Sequence, residues 1–262
     1  MAKLKTRMIA VANEKGGVGK TVTVINLGAA LQQEGRKVLV VDMDPQFNAT
    51  RGLGVEPAPD APSIYDLLVK EEPVSVADVI VSTAWEGLDL VPSHVDLSGA
   101  EVELVDVPGR ENRLKEAMAE TAGRYDFILC DTPPSLSLLT INVLAYAREV
   151  LVPCQTHPYA YAALEELFDT IDAVGAEIND RLKITGIMAT LFDQRTRVGN
   201  RILEKLRSDE RYGPLMLDTV IRANTTIADS ADVGKPVVFY RRSSFGAEDY
   251  TALAREVLSR GA

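Results

Sequence analysis

A single α/β domain, with a mostly parallel twisted sheet and helices on both faces, is the fold this sequence predicts. Three observations carry the expectation. Runs of Val, Ile and Leu without polar alternation recur along the chain, and helical patterns separate them. The 262 residues, 46% hydrophobic and 25% charged, suit one large domain with a well-buried core. The expected domain spans residues 1–262: Glu56–Ser63 (EPAPDAPS) reads as a surface loop, and no internal repeat or low-complexity tail interrupts the chain.

Taken in order, Arg7–Ala12 and Lys37–Val41 read as strands buried on both faces. Leu88–Val91, Phe127–Cys130, Val150–Pro153 and Ile184–Thr190 continue the series. The spacing predicts helices over Thr21–Glu34, Glu111–Thr121, Leu138–Ala147, Ala160–Val174 and Val198–Arg207. The basic start, Met1–Arg7, runs straight into the first apolar stretch and a glycine loop, so it reads as a strand approach and not a signal peptide. No apolar stretch nears the roughly 18 residues that span a membrane. Cys130 and Cys154 fit neither a compact metal knuckle nor a CxxC pair, and two isolated cysteines suit a reducing cytoplasm. His94 and His157 have no metal-ligand or nucleophile arrangement around them.

Net charge is −10, which argues against a nucleic-acid binder until its distribution is considered. Residues 191–262 carry a net +2, and the first 190 carry −12. Any DNA-facing surface is therefore expected in the last quarter of the chain.

The first strand ends in Asn13-Glu14-Lys15-Gly16-Gly17-Val18-Gly19-Lys20-Thr21, with a helix directly behind it. Glycines here let the backbone wrap phosphate oxygens with N–H groups inward, and the helix N-terminus adds the positive end of its dipole. Gly16, Gly17, Val18 and Gly19 form this cradle. Lys20 can reach the β/γ-phosphates, and the Thr21 hydroxyl can ligate Mg²⁺. The general P-loop pattern fails at its first glycine, where Glu14 stands; the actual pattern is K-G-G-x-G-K-T, with Lys15 ahead of the glycines. That variant marks the deviant P-loop group of ATPases. In that group the early lysine reaches across a dimer interface to the partner's nucleotide, which gives cationic cover to the charge of two sandwiched ATP molecules.

Two further strands end in carboxylates at the same edge. In Val41-Asp42-Met43-Asp44-Pro45-Gln46, alternation predicts that Asp42 and Asp44 share a direction, with Asp44 the candidate for orienting the attacking water. In Cys130-Asp131-Thr132-Pro133-Pro134, Asp131 is the expected partner of Thr21 around Mg²⁺. The stiff Thr132-Pro133 behind it, like Pro45-Gln46, suits a switch that senses the γ-phosphate.

These motifs together resemble the ParA/Soj family of partitioning ATPases. The resemblance runs through Gln46–Thr50 and Gly52-Leu53-Gly54, then Leu97–Glu101, Pro134–Leu136 with Leu139–Asn142, and Gly234-Lys235-Pro236-Val237. It implies ATP and Mg²⁺ bound at a homodimer interface, with Lys15, Lys20 and Asp44 central to hydrolysis. It also implies non-specific double-stranded DNA binding by the ATP-bound dimer, a ParB-type or adaptor protein that stimulates slow hydrolysis, and a cytoplasmic, nucleoid-associated location. Two departures stand out. Val22 replaces a hydroxyl residue that would touch the α-phosphate. Ile221–Thr226 replaces the family's I-P-R-N-V-R, leaving Asn224 as the clean match beside adenine and Arg222 displaced by one position.

The expected DNA-facing cations are therefore Arg195, Arg197, Arg201 and Lys205, with Arg222, Lys235, Arg241 and Arg242 extending the surface. A family variant that positions protein cargo over the nucleoid would carry the same ATPase residues. A MinD-type membrane ATPase should end in a basic amphipathic helix, which Thr251–Ala262 resembles poorly, so no membrane is expected as partner.

Overall fold

The computed structural model describes residues 5–58, 60–70 and 74–260. Met1–Leu4, Pro59 within the expected surface loop, Glu71–Pro73 and Gly261–Ala262 lie outside the described residues. Eight strands join one sheet in the order β3-β4-β2-β5-β1-β6-β7-β8. They are β1 (Arg7–Val11), β2 (Val38–Asp42), β3 (Val81–Ser82), β4 (Leu88–Val91), β5 (Phe127–Asp131), β6 (Glu149–Gln155), β7 (Lys183–Phe192) and β8 (Met216–Arg222). All neighbours pair in parallel except β3 with β4. Seven principal helices are α1 (Lys20–Gln33), α2 (Asn48–Gly52), α3 (Leu138–Tyr146), α4 (Ala160–Glu177), α5 (Arg197–Ser208), α6 (Thr225–Asp232) and α7 (Phe245–Arg260).

The apolar runs are two-faced because successive side chains alternate between two cores. Leu39, Val41, Ile128 and Cys130 pack on one face with Leu164, Leu167 and Phe168 of α4. Val38, Val40, Phe127 and Leu129 pack on the other with Leu27 and Leu31 of α1 and Leu253 and Val257 of α7. The helix expected over Glu111–Thr121 is broken into a 3₁₀ turn, a helix at Arg113–Ala117 and a second 3₁₀ turn at Ala119–Thr121. β8 and α7 carry too few bulky apolar residues in a row to announce themselves, and neither was expected. α7 is an integral wall of the core, with Tyr250, Leu253, Ala254 and Val257 buried.

Polar residues set the ends of elements. Ser63 and Asp66 close a capping box at Ile64–Val69, behind the exposed Asp60–Pro62 segment. Thr196 caps α5 and Asn224 caps α6, each accepting a backbone N–H.

β1 lies between β5 and β6, the point where the chain changes its direction of travel across the sheet. In open α/β sheets, ligands bind outside the carboxyl ends of the strands at such a point. Val11 and Asp42 are both register partners of Asp131, so the ends of β1, β2 and β5 meet there.

Candidate functional site

The turn from β1 to α1 runs without a side-chain cap. Gly19 stands at the N-cap with φ 93°, and Gly17 has φ 73°, a conformation that other residues adopt only with strain. The first N–H groups of α1 are therefore free for an anion. The turn is stapled from both sides. Asn13 donates to the Pro153 carbonyl at 2.8 Å and accepts the Lys15 N–H at 2.9 Å, while the Thr190 hydroxyl donates to the Val18 carbonyl at 2.8 Å.

A cleft of about 480 Å³ opens over this turn, within the range of small-ligand sites. Lys20, Thr21, Asp44 and Gln46 line its phosphate end. Lys20 is buried and rests its ammonium on the Lys15 carbonyl at 3.1 Å. Burial lowers its pKa, against the opposing pull of Asp131 and Asp44.

Asp42 and Asp131, both fully buried, differ sharply in their surroundings. Asp42 accepts the N–H and hydroxyl of Thr50 at 2.8 and 2.7 Å and the Asp44 N–H at 3.1 Å. Desolvation lifts its pKa to about 6 despite the hydrogen bonds from Thr50. Both carboxylate oxygens of Asp131 are buried without a hydrogen-bond partner. Burial first, and the charge of Asp42 next, push its pKa well above the ordinary carboxylate range. A buried carboxylate with two orphaned oxygens beside a threonine hydroxyl and a lysine has the chemistry of a hard-cation ligand. The residues present therefore fit Mg²⁺, which Asp131 and Thr21 could hold.

β2 ends at Asp42, so strand alternation does not extend to Asp44, and the two carboxylates take different partners. Asp42 organises the following turn, while Asp44 lines the cleft and accepts the Gln46 N–H at 2.9 Å. Of the residues expected to switch, Gln46 is exposed and Pro45 partly so, but Thr132 and Pro133 are buried. The Thr132 hydroxyl donates to the Val11 carbonyl at 2.9 Å, which ties it into the sheet edge.

The far end of the cleft is lined by Ile221, Arg222, Asn224, Ile227 and Tyr250, with Val22 between the two ends. Apart from Arg222, Asn224 and Val22, these were not expected as lining, because β8, α6 and α7 had not been read as elements. Phe47 and Leu191 flank the cleft with φ 45° and 50°, a strain no sequence signal marks, since neither is Gly or Asn. Lys15 is partly exposed and shares a shallow surface hollow with Leu136 and Tyr159, which are 49% and 70% exposed.

The expected cations do not form one surface. Ile202, Leu203 and Leu206 anchor α5 on one face of the sheet, and Val237 and Val238 belong to the core on the other. Arg197, Arg201 and Lys205 thus make one exposed group, and Lys235, Arg241 and Arg242 another. Arg195 is held by Asp193 through two bonds of 2.9 and 2.8 Å. Arg222 is clamped by Asp249 at 2.5 Å and lies over the Phe245 ring, so its charge is already engaged. Cys130 and Cys154 are buried free thiols, each pushed up to about 12 by burial.

A larger cavity, about 820 Å³, opens at the amino end of the sheet. Of its cations, Lys5 precedes β1, while Lys115, Arg148 and Arg181 stand at or just beyond helix C-termini, whose negative dipole ends they complement. No glycine cradle or orphaned carboxylate faces it, and the chemistry belongs to the smaller cleft.

Fold and cleft together define a P-loop nucleoside-triphosphate-binding protein with the additional lysine. A family model described as an AAA domain matches residues 6–184. Sporulation initiation inhibitor protein Soj of Bacillus subtilis is 42% identical over 97% of this chain and 99% of its own length. Chromosome partitioning protein ParA of Myxococcus xanthus is 41% identical over 97% of this chain and 88% of its own. Among solved structures, cobyrinic acid a,c-diamide synthase from Mycobacterium smegmatis with bound ADP and magnesium is 36% identical. It superposes with a TM-score of 0.83 and covers 98% of this chain and 95% of that one. This chain belongs to the Soj/ParA family of partitioning proteins.

Proposed function

We propose that this protein is a ParA-type ATPase whose ATP-bound homodimer binds double-stranded DNA without sequence preference and lets go when a ParB-type or adaptor partner stimulates hydrolysis. The observation that carries the reading is the convergence of Lys20, Thr21 and Asp44 over the unpartnered Asp131, on a chain 42% identical to Soj along nearly its whole length.

In this reading the glycine turn and the first N–H groups of α1 hold the phosphates. Lys20 would exchange the Lys15 carbonyl for phosphate oxygens, and Asp131 and Thr21 would hold Mg²⁺, whose charge would offset that of the phosphates. Asp44 aligns the attacking water against the γ-phosphate. The base lies against Ile221, Asn224 and Tyr250. Val22 gives no hydroxyl to the α-phosphate, so the backbone N–H groups carry that contact. Lys15, with Leu136 and Tyr159 exposed around it, supplies the dimer face and covers the partner's nucleotide. Arg197, Arg201 and Lys205, with Lys235, Arg241 and Arg242, meet DNA phosphates, which suits salt-sensitive and sequence-independent binding.

A protein of this kind works in the cytoplasm on the nucleoid. The membrane-positioning alternative is disfavoured by α7, whose apolar side is spent on the core.

The test is DNA binding by the Asp44→Ala protein with ATP and with ADP, at two salt concentrations. Binding to random duplex that requires ATP and weakens at least tenfold between about 50 and 200 mM salt is expected. Equal binding in both nucleotide states, or none in either, would overturn the reading.

A further inference from the structure

Two motifs take no part in the cleft: Gly52-Leu53-Gly54 behind Asp44, and Gly234-Lys235-Pro236-Val237 ahead of Arg241 and Arg242. The fold brings them into backbone contact. Gly54 has φ 70° and Gly234 φ 61°, both in the left-handed region. A Cβ on Gly234 would stand 2.8 Å from the Arg51 carbonyl oxygen and 3.1 Å from the Gly54 Cα. One on Gly54 would stand 3.1 Å from the Gly234 carbonyl oxygen. Every one of these neighbours is a main-chain atom, so no rotamer change can absorb a displacement at the contact.

Each side of the contact is tied elsewhere. Gly54 donates to the Arg51 carbonyl at 2.8 Å and Val55 to the Thr50 carbonyl at 3.2 Å. Thr50 is bound to Asp42, and its hydroxyl accepts the Ser93 N–H at 3.0 Å. The Ser93 hydroxyl donates to the Asp44 carbonyl at 2.7 Å, which closes the chain at the phosphate end of the cleft. On the other side, Gly234 and Lys235 donate to the Ala231 and Ser230 carbonyls, and Val237 donates to Asn26 at 2.7 Å. Lys235, Arg241 and Arg242 stand exposed beyond. A cavity of about 730 Å³ between Thr21, Asn48, Arg51 and Asp232 leaves α2 and α6 room to shift against α1.

We propose that the Gly54–Gly234 contact transmits the state of the phosphate site to the Lys235–Arg242 cations, with residues 46–55 and 230–242 moving as one body when a γ-phosphate engages Asp44 and Gln46. This rests on the reading that the cleft binds ATP. The two sites, the rigid connection and the differential contact of the γ-phosphate are the elements that coupling requires.

The test is hydrogen–deuterium exchange of the full chain with Mg²⁺ and either ADP or a non-hydrolysable ATP analogue, in wild type, Gly234→Ala and Gly35→Ala. Gly35 has φ 78° with open space around its Cβ position, so its variant carries the conformational strain without the collision. In wild type and Gly35→Ala, exchange over 230–242 should differ about fivefold or more between nucleotides. In Gly234→Ala, 46–55 should still respond while 230–242 does not. Should Gly234→Ala fail to fold, Gly54→Ala serves in its place. An undiminished response of 230–242 in the variant overturns the proposal, as does a silent 230–242 in wild type. Nucleotide binding by calorimetry and duplex binding are measured separately, so loss of the coupling is distinguishable from loss of the ATPase or DNA reading.

Discussion

The two ends of the central strands treat charge in opposite ways. At the amino end, Arg7 on β1 and Glu149 on β6 form a bidentate pair at 2.8 and 2.6 Å, and Thr185 of β7 donates to the same carboxylate at 2.7 Å. At the carboxyl end of β5, Asp131 is more deeply buried and has no partner for either oxygen. A protein selected only for stability would not leave a carboxylate so, because burying it without a partner disfavours its charged form, and burial accordingly raises its pKa. The amino end is built to hold the sheet together. The carboxyl end instead leaves Asp131 open, close to Lys20 and Thr21.

The sharpest break of that comparison is Asp131→Asn. It should reduce ATP hydrolysis about 100-fold or more, because the cation loses its holder. Yet the thermal midpoint of the nucleotide-free protein should stay level or rise, and the extra stability that Mg²⁺ with ATP gives the wild type should vanish. A fall in the midpoint would show that Asp131 is structural after all. Asp42→Ala should behave in the reverse manner. Removing it leaves the buried Thr50 and Asp44 N–H groups unsatisfied, at about 3 kcal/mol of stability measured by urea unfolding. A loss no greater than that of Asp131→Asn would erase the distinction between the two aspartates.

The smallest effect is expected at the amino end. Burial pushes the Glu149 carboxyl up, but hydrogen bonds from Arg7 and Thr185 and the Arg7 charge outweigh it, so it titrates below its ordinary 4.5. A depressed carboxylate stabilises the fold above its unfolded pKa and loses that contribution as pH falls through the folded value. Glu149→Gln should therefore cost about 2 kcal/mol between pH 6 and 8, and the gap from wild type should close below about pH 4.5. A gap that stayed constant down to pH 3 would remove the charge pair from the explanation.

Much of this was legible in the residues. Lys15–Thr21 announced the glycine turn that opens α1 beneath the cleft, because glycine and the helix that follows act locally, through φ and a dipole. Asp131 could be read from four apolar residues ending in a carboxylate, since a parallel strand delivers its last side chain to the ligand edge. Asp44 was singled out for the cleft and does line it, although β2 ends at Asp42 and the strand alternation used to place Asp44 does not reach it. β8 and α7 went unread because their apolar residues are spaced for partial burial against neighbours that only the fold supplies.

The sequence by itself therefore determined the fold class, the phosphate turn and the carboxylates around it, all features set within a few residues of chain. Tertiary structure alone decided which aspartate is satisfied and which is left open. It also divided the expected cations between two faces of the sheet, committed Arg222 to Asp249, and placed Gly54 against Gly234 across 180 residues of chain. Those outcomes depend on which distant groups arrive to share a volume, and packing settles that only after the local signals have been spent.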